Sequence, residues 1–79
     1  MPTEETRELT YGEKAVGLTF NPSQDENVKK CKEMYAIIID ALNTLRTDTD
    51  NGEKKRLYSV AITEAQTAQM RAVKAITWR

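Results

Sequence analysis

The feature that most limits how this chain can fold is a line of apolar residues at Val28, Cys31, Tyr35, Ile38, Leu42 and Leu45. The gaps alternate between three and four residues, which on an α-helix puts all of them along one seam. Met34, Ile37, Ile39 and Ala41 widen that seam beyond what one partner helix covers. Such a helix has to be covered on more than one side. A chain of 79 residues contains little else to cover it with.

The ends of this helix are marked by local chemistry. Ser23-Gln24-Asp25-Glu26 has capping-box spacing, and Pro22 before it keeps the helix from extending backwards. Asp25 and Glu26 also suit the positive end of the helix dipole. These signals predict a first long helix over about residues 24–47. Thr47-Asp48-Thr49-Asp50-Asn51-Gly52 reads as a turn in which Asn51 and Gly52 tolerate left-handed backbone. Asp50 or Thr49 caps a second long helix over about residues 52–77, with Glu53 at the capping-box distance from Asp50. So short a connection makes the two helices antiparallel neighbours.

The second helix carries a stripe of small and apolar residues, from Leu57, Tyr58, Ala61 and Ile62 through Ala65, Ala68 and Ala72 to Val73 and Ile76. Its alanines let another helix approach closely. Ser59, Thr63, Gln66, Thr67, Met70 and Lys74 fall along another face that is uncharged apart from Lys74. Solvent faces are richer in charge, so this one reads as a second packing surface or a lining with hydrogen-bonding groups, against chance neutrality. Upstream, residues 1–10 are polar and acidic, either frayed or a short helix held only by contact. Residues 11–22 carry Tyr11, Val16, Leu18 and Phe20 between glycines and a proline, and are expected as an ordered arm packed on the helices. A strand there would have no partner.

The expected fold is therefore all-α. It is an antiparallel two-helix hairpin (residues 23–79) preceded by an N-terminal arm or short helix (residues 1–22), all one domain. A chain of this length needs a staple, a metal or a partner subunit. It has one cysteine and no histidine, so an internal disulfide and an ordinary zinc site are both ruled out. Self-association remains, with a marginal monomer of well-packed helices as the alternative, and a compact homo-oligomer is expected.

Function classes can be narrowed in the same way. Twelve basic and twelve acidic residues cancel, which argues against a protein that coats DNA or RNA. Six acids lie within residues 1–27, whereas none follows Glu64, leaving room for a local basic site. No apolar run is long enough for a membrane span, no signal peptide opens the chain, and a lone reduced cysteine fits a cytosolic setting. Cys31 lies on the apolar seam without a histidine to activate it, and reads as a small buried hydrophobe. No phosphate-binding glycine loop is present. Neither an enzyme nor a cofactor is expected. Binding chemistry is better supplied, with aromatic faces for stacking bases and lysines for phosphate. Tyr35 and Tyr58 belong to helix stripes, whereas Tyr11, Phe20 and Trp78 lie outside them. Phe20 is equally readable as a staple across the Ser23 cap. Lys32 flanks the seam, where it can reach a neighbouring subunit, while Lys29, Lys30 and the Lys54-Lys55-Arg56 cluster read as solvated.

Two segments resemble a known family. They are Gly12-Glu-Lys-Ala-Val-Gly-Leu-Thr-Phe-Asn-Pro-Ser23 and Ala61-Ile-Thr-Glu-Ala-Gln-Thr-Ala-Gln-Met-Arg-Ala-Val-Lys-Ala-Ile-Thr-Trp78. Both are similar to the phage anti-CBASS cyclic-nucleotide sponges, small hairpin-domain proteins, and together they span about residues 12–78. The resemblance implies a helical homohexamer in the host cytoplasm. It would sequester cyclic dinucleotides and cyclic trinucleotides made by bacterial immune cyclases, without cleaving them. It also implies dinucleotide pockets between subunits, with Phe20 or Tyr11 stacking, Asn21 beside them and Lys32 on phosphate. Separate trinucleotide pockets would draw on Thr63, Gln66 and Lys74. The rival expectation is a phage adaptor that binds a host protein through its helices. A small nucleic-acid binder is disfavoured by the zero net charge.

Overall fold

A computed structural model describes residues 8–79, and all regular secondary structure among them is helical, with no strand. Three helices follow one another: α1 (Tyr11–Val16), α2 (Glu26–Asp48) and α3 (Gly52–Ile76). The expectation for residues 1–10 lies mostly outside the described residues.

Both long helices begin and end within two residues of where the sequence places them, although their caps differ. The Ser23 capping box does not form, because Gln24 takes a left-handed conformation with φ at 55° and breaks the helical backbone there. Asp25 caps α2 instead, its carboxylate accepting from the Asn27 N–H at 2.7 Å. Asn51 caps α3 by accepting from the Lys54 N–H at 3.0 Å, in place of Thr49 or Asp50. Gly52 is the first residue of α3 and takes no left-handed conformation.

Helix α1 lies inside the segment expected as an arm. Its capping box is Thr10 with Glu13: the Thr10 hydroxyl accepts from the Glu13 N–H at 3.1 Å, and the Glu13 carboxylate accepts from the Thr10 N–H at 2.9 Å. At the other end, Gly17 adopts φ 63° and the Leu18 N–H reaches back to the Glu13 carbonyl at 3.0 Å. That is a Schellman stop, which needs a residue tolerant of left-handed backbone.

Asp40 of α2 fastens the start of α1, accepting from the Thr10 hydroxyl and from the Gly12 N–H, each at 2.7 Å. The two helices touch so closely that a β-carbon on Gly12 would sit 2.2 Å from the Ala36 carbonyl oxygen. Val16, Ala36, Ile39 and Ile62 form the core, with Ala15, Leu18, Tyr35, Leu42 and Ala65 packed around it. At the turn end, Arg46 joins all three helices. Its guanidinium donates to the Ser59 hydroxyl at 3.1 Å and lies 5.5 Å from the centre of the Tyr11 ring.

The buried line of α2 runs through Val28, Lys32, Ala36 and Ile39, rotated from the expected seam. Val28 is shared, but Cys31 is only half-buried, and Ile38 and Leu45 are exposed. Met34, Ile37, Ile38, Ala41 and Leu45 instead form a stripe on the face of α2 opposite Ile39, and Ile37 is 68 % exposed. The thinnest dimension of the chain is 12 Å, about the width of one helix with its side chains. Among the described residues no second layer lies over this stripe.

Gly12→Ala should lower stability by about 2 kcal/mol, as overpacking does when backbone cannot yield. Gly52→Ala, with nothing within 4 Å of the new methyl, should change it little. Urea unfolding followed by circular dichroism compares the two, and equal midpoints would refute the close seating of α1.

Candidate ligand-binding groove

The only buried polar or charged side chains among the described residues are Lys32 on α2 and Gln69 on α3. Each occupies a core position of an otherwise apolar line. Lys32 stands four residues from Val28 and from Ala36, and Gln69 four residues from Ala65 and from Val73. Helices α2 and α3 run antiparallel, so the early part of one faces the late part of the other, and both residues come to the same place.

Lys32 is 6 % exposed. Its Nζ donates to the Gly17 carbonyl at 3.0 Å and to the Phe20 carbonyl, and lies 5.5 Å from the centre of the Phe20 ring. A buried ammonium must be hydrogen-bonded, and the turn after α1 supplies the acceptors. Lys32 was expected to flank the seam and reach a neighbouring subunit; it is instead anchored to the arm of its own chain. The anchor also fixes the turn, helped by the Phe20 N–H, which donates to Gly17 O at 2.9 Å.

Phe20 is therefore held by its backbone while its ring remains 71 % exposed. Hollows lie on either side of it. One, of about 450 Å³, is lined by Lys14, Gly17, Phe20, Lys32, Gln69 and Met70, among others. The other, of about 270 Å³, is lined by Phe20, Asn21, Ser23, Val28, Lys32 and Thr77, among others. Phe20, Lys32 and Val73 belong to both and separate them. The charged groups on the walls are lysines, with no carboxylate. An aromatic face, a cation and an apolar floor suit a planar heterocycle that carries a negative charge.

The other residues singled out by sequence are distributed as follows. Asn21 shapes the corner before α2, its amide donating to the Asp25 carbonyl at 3.2 Å and accepting from the Ser23 hydroxyl at 2.9 Å. Tyr11 lies at the far end of α1, against Arg46 and outside both hollows. Thr63 and Lys74 are exposed on the outer line of α3, and Gln66 is half-buried at its edge. Eleven residues separate Thr63 from Lys74, about 16 Å along a helix, so they do not converge within one chain. Lys74 contributes to an open hollow of about 500 Å³ with Arg71, Ala75 and Trp78, its Nζ 5.9 Å from the Trp78 ring centre. Met70 belongs to the neutral face of α3 read from sequence as packing or lining, whereas Gln69 lies outside that face. For Gln69 the available signal was a polar residue interrupting an apolar stripe.

Fold and groove together define a small helical hairpin domain that presents a cationic and aromatic binding surface. The chain belongs to the Acb2/Tad1 hairpin-domain family, the anti-CBASS sponges: the model of that hairpin domain matches residues 13–77. No curated protein and no solved structure matches the chain. The family assignment agrees with the resemblance carried by residues 12–23 and 61–78.

Lys32→Met should lower stability by about 2 kcal/mol through loss of hydrogen bonds from a charged donor. Amide exchange should speed up at Leu18 and Phe20. Unchanged protection there would show that Lys32 does not hold the turn.

Proposed function

We propose that this protein sequesters cyclic dinucleotides, intact, in the groove around Phe20 and Lys32, and so deprives a bacterial immune effector of its messenger. What carries this proposal is the pairing of an exposed aromatic ring with a fixed ammonium, at 5.5 Å, on a wall free of acids. A base stacks on Phe20. The Lys32 ammonium has three N–H donors; two engage carbonyls of the turn, and the remaining one meets a phosphate oxygen. Lys14, exposed at the rim, adds a second cation.

The working form is a homo-oligomer, with a hexamer expected from the family. The stripe of Met34, Ile37, Ile38 and Leu45 supports assembly, since a monomer seldom leaves so much apolar helix uncovered. In such an assembly Tyr11 becomes available to a neighbour's ligand. Binding surfaces built at junctions are organised before the ligand arrives, which lowers the ordering cost. Cyclic trinucleotides are assigned to a second site on the outer line of α3, where Thr63, Gln66 and Lys74 from several copies meet around an axis. The site of action is the host cytoplasm, in keeping with the absence of any helix long and apolar enough to cross a membrane among the described residues. Sequestration works by mass action, so tight binding and abundance are both required, and no bond in the ligand changes.

Titration calorimetry of the full chain with a panel of cyclic dinucleotides should give dissociation constants of about 1 μM or tighter. Phe20→Ala should weaken binding roughly tenfold or more, given 1–3 kcal/mol per stacked base, without lowering the unfolding midpoint, because the ring is exposed. No heat from any cyclic nucleotide would favour an adaptor that docks a host protein instead.

A further inference from the structure

Gln69 is 4 % exposed, yet no hydrogen bond among the described residues engages its carboxamide. A buried amide without a partner is costly, so one kept in a core position needs a reason. No fully enclosed side-chain nitrogen or oxygen lacks a partner. The Gln69 amide is therefore not sealed beneath other atoms. It opens onto the hollow that it lines with Lys14, Phe20 and Lys32.

We propose that Gln69 reads the base of the bound nucleotide by a paired hydrogen bond to an adenine edge; this rests on the cyclic-nucleotide reading of the groove. Its neighbours divide the remaining work. Lysines meet phosphate, and the Phe20 ring meets the face of the base. What remains is the edge of that base, and Gln69 offers a neutral group with a donor and an acceptor side by side. Adenine presents the complement, its N6 amino group beside the N7 acceptor, which is the standard bidentate partner of a glutamine. Guanine presents two acceptors, N7 and O6, on that edge, and the amide oxygen would face a lone pair. Gln69 stands four residues from Ala65 and from Val73 on α3, and Val73 lines the same hollow. On the edge that carries N7, the groove thus takes adenine in preference to guanine.

The experiment compares the full chain with Gln69→Met, of similar length and apolar, using cyclic di-adenylate and cyclic di-guanylate in titration calorimetry. The variant should bind cyclic di-adenylate roughly tenfold more weakly or worse, the loss of one bidentate pair. Its affinity for cyclic di-guanylate should fall by less, and its melting temperature should not drop, which makes the loss one of recognition and not of folding. Wild-type affinity for cyclic di-adenylate in the variant would overturn the assignment. So would a fall in assembly mass by light scattering, which would mean that the amide serves a neighbouring copy. Should Gln69→Met not fold, Gln69→Glu keeps the shape and removes the donor, and retained adenylate binding there would overturn it equally. If the parent chain binds neither ligand, the reading of the groove has itself failed, and this inference with it.

Discussion

The arrangement depends on one buried ammonium. Lys32 sits where an apolar residue would complete the line of Val28, Ala36 and Ile39, and it satisfies its charge on carbonyls of the turn after α1. That contact does two jobs at once. It fastens the N-terminal segment to the hairpin, and it leaves the Phe20 side chain facing outward while its backbone is held. A purely apolar residue at this position would pack the core as well but would neither hold the turn nor place a cation beside the ring. Asp40 does the matching work at the other end of α1, so the short helix is fixed at both ends by polar side chains of α2. Glycine at position 12 allows the approach that makes both contacts reachable.

A second constraint comes from thickness. Three helices lying about one helix deep cannot enclose a core on both faces. Ile39 is fully buried while Ile37, two residues away, is 68 % exposed. Burying a side chain of that size contributes about 1.5–3 kcal/mol, and several such residues on one face are a large unused driving force for association. The same geometry leaves the groove open on one side. The uncovered apolar stripe and the open side of the groove thus follow from a single property, a hairpin too thin to cover itself.

Much of this was legible in the sequence. The two long helices, the antiparallel hairpin and the family could be read from periodicity, turn residues and the segments around Gly12 and Ala61. The phase of the buried face of α2 could not. That helix is apolar over so much of its circumference that the heptad line through Cys31, Ile38 and Leu45 outcompeted the true one, which contains a lysine. Charged residues are almost never buried unless paired, and the partners of Lys32 are backbone carbonyls, which sequence does not display. Helix α1 was legible only as one of two options for residues 1–22, an arm or a short helix, for a related reason. Thr10 and Glu13 have the same capping-box spacing as Ser23 and Glu26, but only six residues follow before Gly17, too few for periodicity to register. At Ser23 the motif was present and failed, because Gln24 turned left-handed and moved the cap to Asp25. Gln69 is a single polar residue in an apolar stripe, and periodicity alone does not mark such a residue as part of a site.

The most direct check of the account is native mass spectrometry of the full chain incubated with a cyclic dinucleotide. The account predicts a species several times 9.0 kDa that carries ligand whose mass is that of the uncut ring. Bare 9.0 kDa chains without ligand, or a bound product heavier by one water, would contradict it.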